Sequence, residues 1–236
     1  MFAYLQAVPA SGGFNPATLS LTGWWRGSFA SSPWNGTASA GSSGTRTLTE
    51  ATNPPDPGTL LNGFAPADFS SSDRLGGLAI SNYFTTAAGS ALILYRADTS
   101  AAPAADPIND PALIGQSGSQ QVQIAHNSTG PVVSVHDSAS QKRIQLTAAT
   151  GSWHLVQMRW NGTNMQGRVD SNSWSTSAAT AGPSPLTTVL RVGANYNLTK
   201  FFDGQIMSII FDDTTLDDAT FDNIKSSLNT RYALSL

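Results

Sequence analysis

The stretch SWHLVQMRWNGTNMQGRVDSNSW, Ser152–Trp174, decides the fold. In its first half His154, Val156, Met158 and Trp160 share one face, apolar apart from the histidine. Leu155, Gln157 and Arg159 share the other, mostly polar face. That period of two marks a half-buried strand. Asn161-Gly162 then reads as a type I′ hairpin turn, which needs positive φ at both central residues. The chain returns with Met165, Gly167 and Val169 on one face. A one-residue slip would turn the apolar face to water, so the pattern specifies register as well as hairpin.

Short strands at regular spacing precede this hairpin: ALIGQ, QVQIAH, PVVSVHD and KRIQLT between Ala112 and Thr147, separated by turn residues such as Ser117-Gly118 and Ser128-Thr129-Gly130. Such spacing indicates an antiparallel sandwich or barrel. SALILYRAD, Ser90–Asp98, reads as a buried strand, and LSLTGWWRGSF, Leu19–Phe29, as a strand with Leu19, Leu21 and Trp25 on one side. KFFDGQIMSIIFDD, Lys200–Asp213, is apolar on both faces, with Met207, Ile209 and Phe211 pointing one way and Ile206 and Ile210 the other. A strand of that kind must be covered twice.

The second cover follows at once. Phe221, Ile224, Leu228 and Tyr232 have the 3, 4, 4 spacing of one helical stripe. Thr215 is the candidate N-cap, with Asp218 three residues on. A lone amphipathic helix after a long β run is expected to dock on the sandwich. The organisation expected is therefore an N-terminal arm, residues 1–18, and a single β-sandwich domain, residues 19–236.

Of the 236 residues, 11% are charged, less than half of the roughly 25% usual in soluble domains. Ser, Thr, Asn and Gln must build the polar surface. Net charge is −3, with no basic cluster to neutralise phosphates, so no nucleic-acid partner is expected. No apolar run reaches the ~18 residues of a membrane span, and the N-terminus lacks the basic region of a signal peptide. With 0 cysteines, disulfides, thiolate nucleophiles and cysteine-ligated zinc are excluded. The Asn-x-Ser/Thr triplets at Asn35, Asn127, Asn161 and Asn197 are what a chain this rich in Ser and Thr produces by chance.

Trp153, His154 and Val156, then Asn161-Gly162, Val169-Asp170, Leu190–Gly193, Phe202, Gly204, Ile206 and Leu216–Ala219 resemble, in order, the laminin-G-like or concanavalin-A-like jelly roll. The likeness spans Trp153 to Leu228, a third of the chain. Ser171 stands where the family usually has glycine, and Met207 and Ser208 stand where an acidic residue is often found. FNPATLSLTGWW and GTLLNGFAPADFSSSDRL are similar to variants of this fold in bacteriophage virion and tail-associated proteins. The resemblance implies an all-β antiparallel sandwich of jelly-roll type with one C-terminal helix.

Glycoside hydrolases occur on this fold and need a carboxylate pair roughly 5 Å apart in the retaining case. Glu50 is the sole glutamate and no paired-acid strand appears, so hydrolysis is disfavoured and no catalytic residue is assigned. His126 and His136 end adjacent strands and would pair across a turn; the plainer reading is of polar strand-end residues. No cofactor is expected; the lectin-like resemblance allows calcium, with Asp170, Asp203, Asp212 and Asp213 as candidates and no ligand assigned. Trp34, Trp174 and Tyr196 lie in or beside turn-rich segments and are the candidate glycan-stacking rings. Trp24, Trp25, Trp153 and Trp160 are assigned to the core or an interface. Phe2, Tyr4, Leu5 and Val8 would make the arm an anchor on a neighbouring subunit.

The reading these features favour is a non-enzymatic bacteriophage virion structural protein, a capsid-decoration or tail-associated module assembled in the host cytoplasm. Its expected partners are other virion proteins and copies of itself. The alternative is a carbohydrate-binding module for host-surface glycans.

Overall fold

The computed structural model describes residues 19–26, 29–31, 33–36, 46–50, 52–102, 109–116, 122–136, 141–178 and 188–236. The arm, with Phe2, Tyr4, Leu5 and Val8, lies outside the described residues.

The strands are β1 (Gly23–Arg26), β2 (Trp34–Gly36), β3 (Arg46–Leu48), β4 (Asp56–Pro57), β5 (Ala67–Phe69), β6 (Leu75–Ala79), β7 (Gly89–Ala97) and β8 (Ala112–Gln116). They continue with β9 (Val122–Asn127), β10 (Gly130–His136), β11 (Gln141–Gln145), β12 (Trp153–Trp160), β13 (Asn164–Val169), β14 (Ser175–Ala178), β15 (Val189–Val192) and β16 (Gly204–Asp212), before helix α1 (Asp218–Tyr232). One sheet runs β14-β13-β12-β7-β16-β5-β4, with β1 beside the second half of β16; the other runs β11-β10-β9-β8-β15-β6. β2 and β3 form a small ribbon. The pairings are antiparallel, as in β12–β13, β7–β16 and β9–β10. This is the expected jelly-roll sandwich with a C-terminal helix.

Alternation sorts the side chains into two cores. Val156, Met158, Trp160, Met165 and Val169 of the hairpin join Ile93 and Tyr95 of β7 and Ile124 and Val133 of the second sheet in the interior. Leu155, Leu92, Leu94 and Ile210 face outward and are covered by Phe221, Ile224, Leu228 and Tyr232 of α1. Full burial of each such side chain contributes roughly 1.5–3 kcal/mol, which holds the helix on the sheet.

Four local expectations change. In β16, Ile206 pairs with Tyr95 and Ser208 with Leu94, so Met207 is an extra, bulged residue. The bulge resets the alternation: Ile206, Ile209 and Phe211 enter the interior, while Met207 and Ile210 face the helix. In β1, Trp25 is interior whereas Leu21 and Trp24 lie under the helix, because regular pairing begins only at Gly23.

The third change is at the hairpin turn, whose central residues are Gly162 and Thr163. Asn161 N donates to Asn164 O at 3.1 Å, and Gly162 (φ 77°) takes positive φ while Asn161 and Thr163 do not. Glycine at the first central position is the II′ pattern. Asn161 Oδ1 braces the turn by accepting from the amides of Thr163 and Asn164. An Asn-Gly turn with positive φ at both residues does occur, at Asn62-Gly63 (φ 49° and 81°).

Fourth, Asp217 rather than Thr215 caps α1: its carboxylate accepts from Thr220 N at 2.7 Å. Thr215 instead donates its hydroxyl to Trp160 O at 2.6 Å, tying the helix approach to the hairpin. Asp217→Ala is therefore expected to lower the thermal midpoint by about a few degrees, and Thr215→Val to leave the helix cap intact. Circular dichroism melts of the two variants check this.

Candidate functional site

Because neighbouring strands run antiparallel, the loops gather at the two ends of the sandwich. One end collects the segments after β5, β7, β9, β11, β13 and β15. Several hydrogen bonds knit it together: Ser128 N to Ala101 O at 2.7 Å, Gly151 N to Ala97 O at 2.7 Å, and Asp98 N to Asp203 O at 3.0 Å.

At this end the sequence motif Trp-His-x-Val…Val-Asp is a lock between β12 and the turn after β13. Asp170 Oδ1 accepts from Leu155 N at 2.7 Å, and Oδ2 accepts from His154 Nδ1 at 2.7 Å. Gln157 Nε2 donates to the Asp170 carbonyl at 2.9 Å. Asp170 itself adopts φ 54°, a conformation that Asp tolerates better than most residues. The left-handed residue is thus Asp170, and Ser171 needs no glycine.

His154 and Tyr95 are cross-strand neighbours, and Tyr95 meets His126 of the other sheet, hydroxyl to Nδ1, at 3.0 Å. His126 is 2% exposed and its Nε2 has no hydrogen-bond partner. Burial, and secondarily the neighbouring His154, pull its pKa down to about 4. Burial also pushes the Tyr95 phenol well above its ordinary value, with Asp170 adding to the effect. His126 does not meet His136: His126 is opposite Pro131 at one end of β10, and His136 is opposite Gln141 at the other.

Beside this lock, where the edges β11 and β14 approach, a shallow cleft of about 210 Å³ opens. Gln145, Leu146 and Thr147 line one wall; Arg168, Val169, Asn172, Ser173 and Ser175 line the other. Gln145 and Arg168 are committed to the protein, the first to Gly130 O and Pro131 O, the second to Gln157 and Asp222. The side chains of Thr147, Asn172, Ser173 and Ser175 are exposed. The hydroxyls and the amide on these turns can hydrogen-bond a small polyhydroxylated ligand, while Leu146 and Val169 form the buried floor. The volume is below the roughly 300–1,000 Å³ of drug-sized pockets.

The three candidate stacking rings are not brought together. Trp34 is in β2, 3% exposed, edge-on to Phe29 and donating Nε1 to Arg26 O at 3.1 Å. It has no face to offer a sugar, because β2 packs it into the interior core. Trp174 flanks the cleft in sequence, but its ring is turned toward α1. The guanidiniums of Arg159 and Arg168 lie 4.3 and 4.5 Å from its centroid, and Phe221 is edge-on at 5.0 Å. Asp218 and Asp222 pair with those arginines at 2.7 Å each. Tyr196 is half-buried on the Asn195–Lys200 turn, where its carbonyl accepts from Arg191.

The calcium candidates are likewise dispersed. Asp170 serves the lock, Asp203 accepts from the Thr99 hydroxyl at 2.6 Å, and Asp212 accepts from Thr214 N at 2.8 Å. Asp213 is exposed, and no group of three His, Asp or Glu side chains converges to hold a metal among the described residues.

No protein-family model matches the chain, and no curated protein matches it in sequence. Solved structures do. The receptor-binding domain of botulinum neurotoxin D superposes with a TM-score of 0.66 at 10% identity, over 88% of this chain and 52% of that one. The fold is a jelly-roll β-sandwich. Botulinum neurotoxin type C, whose cell entry is dependent upon interaction with two ganglioside molecules, matches with a TM-score of 0.56 at 13% identity, over 78% of this chain and 46% of that one. Domain 4 of a GH43 extracellular arabinanase from Geobacillus stearothermophilus, solved with arabinotriose, gives 0.53 at 9% identity over 80% and 82%. The chain spans about half the length of the neurotoxin chains it matches. These likenesses are of fold, and they lend the virion expectation no support.

The residues that line the cleft escaped sequence reading. Their signal was the polar run Asp170–Ser173 after an alternating strand, which marks a turn; nothing local showed that Gln145–Thr147 would face it.

Proposed function

We propose that this chain is a non-catalytic carbohydrate-binding module, the alternative weighed from the sequence, in place of a virion structural part. The observation that carries it is the cleft between β11 and the β13–β14 turn, with the Thr147, Asn172, Ser173 and Ser175 side chains exposed along it. Similar folds in the neurotoxin C and arabinanase structures belong to proteins that engage gangliosides and arabinotriose, which supports the same class of ligand here. Several carboxylates an enzyme might use are engaged in structural hydrogen bonds: Asp170 in the lock, Asp217 in the helix cap and Asp212 in a turn.

A glycan array followed by calorimetry tests the reading. The intact chain is expected to bind a neutral oligosaccharide, and Asn172→Ala combined with Ser173→Ala to weaken it by about tenfold or more, the loss of one to two net hydrogen bonds. Unchanged affinity in that variant, or no glycan bound by the parent, would overturn it. Trp34→Ala is a poor probe, since removing a core indole destabilises the fold first.

A further inference from the structure

On the edge of the first sheet opposite the cleft, β1 ends at Arg26 and α1 ends just past Arg231. Both guanidiniums rest on one aromatic patch. Arg26 lies 4.2 Å from the Trp24 ring centroid. Arg231 lies 4.2 Å from Phe64 and 5.5 Å from Tyr232, and those two rings meet edge-on at 5.4 Å. The Asn62-Gly63 turn is fastened alongside, with Asn62 Nδ2 donating to Arg231 O at 2.7 Å. Leu60 stands out beside it, 65% exposed.

On Trp174, by comparison, Arg159 and Arg168 each receive an aspartate at 2.7 Å. Arg26 forms no ion pair with a carboxylate among the described residues. Burial first, and then the charge of Arg231, lower its pKa. A half-buried cation held against a like charge is stabilised by an incoming anion, and a guanidinium favours planar, two-oxygen acceptors.

We propose that Arg26, with Arg231 and the Asn62-Gly63 turn, forms a second glycan site selective for an anionic group, a carboxylate or sulfate carried on a sugar. This rests on the carbohydrate-binding reading and gives it a ligand class: acidic glycans. The anion pairs with the Arg26 guanidinium, and Leu60 contacts the apolar face of the sugar.

Calorimetry with lactose, sialyllactose and sulfated lactose on the intact chain tests the proposal. One or both acidic sugars should bind at least about tenfold more tightly than lactose, and that preference should shrink as salt rises from about 50 to 500 mM. Comparing the two acidic arms tells carboxylate from sulfate. Arg26→Gln should abolish the preference and Arg26→Lys retain part of it, while Asn172→Ala with Ser173→Ala leaves it in place. If lactose binds but acid adds nothing, or Arg26→Gln keeps the preference, the second site is wrong and the cleft stands. If acidic sugars alone bind and the cleft variant has no effect, the cleft reading falls and the second site stands. Binding of none of the three overturns both. Should Arg26→Gln fail to fold, a salt-independent preference in the parent chain overturns the second site.

Discussion

Gly204→Ala is expected to cost this domain about 4 kcal/mol or more and to leave little soluble protein. Gly204 opens β16 at φ 146°, a region essentially closed to residues with a Cβ. A Cβ there would also press on the backbone of β7, 2.9 Å from Ala97 Cα and closer still to the Arg96 carbonyl oxygen. Neither can yield, because β7 and β16 are central neighbours paired along the length of both strands. Gly63→Ala separates strain from clash: its φ is 81° but nothing lies within 4 Å of the added methyl. That variant should lose about 1 kcal/mol. Urea unfolding of both proteins decides the matter, and a Gly204→Ala midpoint equal to the parent's would sink the argument.

Acid should loosen the sandwich through His126. The buried imidazole is held neutral, with its pKa near 4 against about 6.5 in an unfolded chain. Between those values the unfolded chain binds a proton that the folded chain refuses. The stability that neutral His126 contributes is therefore complete above about pH 6.5 and is lost as pH falls toward 4, on the order of 3 kcal/mol in all. The groups facing it are the Tyr95 hydroxyl and, beyond that ring, His154 with Asp170, and among the described residues no carboxylate pairs with the ring to favour its protonation. His126→Gln cannot take up that proton. Denaturant unfolding at pH 7 and 4.5 should show a much smaller acid loss in the variant than in the parent, even if the variant starts about 1 kcal/mol weaker. Equal losses in both would mean that other groups set the acid limit.

Both effects depend on contacts between residues far apart in the chain, which local sequence patterns do not encode. Phe202, Gly204 and Ile206 form a Phe-x-Gly-x-Ile pattern in the sequence, but only the seat of Gly204 against Arg96 and Ala97 explains why glycine is required. From its pattern alone His126 is a polar strand-end residue, whereas the opposite sheet places the Tyr95 hydroxyl 3.0 Å away and closes it off from water.

What the sequence determined by itself is what local periodicity encodes. The alternation from His154 to Val169 specified a hairpin with one face in the core, and the register pairs Val156 with Val169 and Trp160 with Met165 as that face requires. The stripe Phe221, Ile224, Leu228 and Tyr232 specified a docked helix, and all four are buried. Only the tertiary structure decided matters in which one segment answers to another. The bulge at Met207 lies where β16 pairs with β7, and it parts Met207 from Ile209 and Phe211, which simple alternation puts on one face. Trp34 left its turn-rich neighbourhood for the core, since β2 packs against Phe29 and β3. The cleft joins the end of β11 to a turn some twenty-five residues later, and the arginine pair joins the ends of β1 and α1. Periodicity is a property of neighbours in sequence; a site is made by neighbours in space, which in an antiparallel sandwich come from opposite ends of long strands and from different sheets.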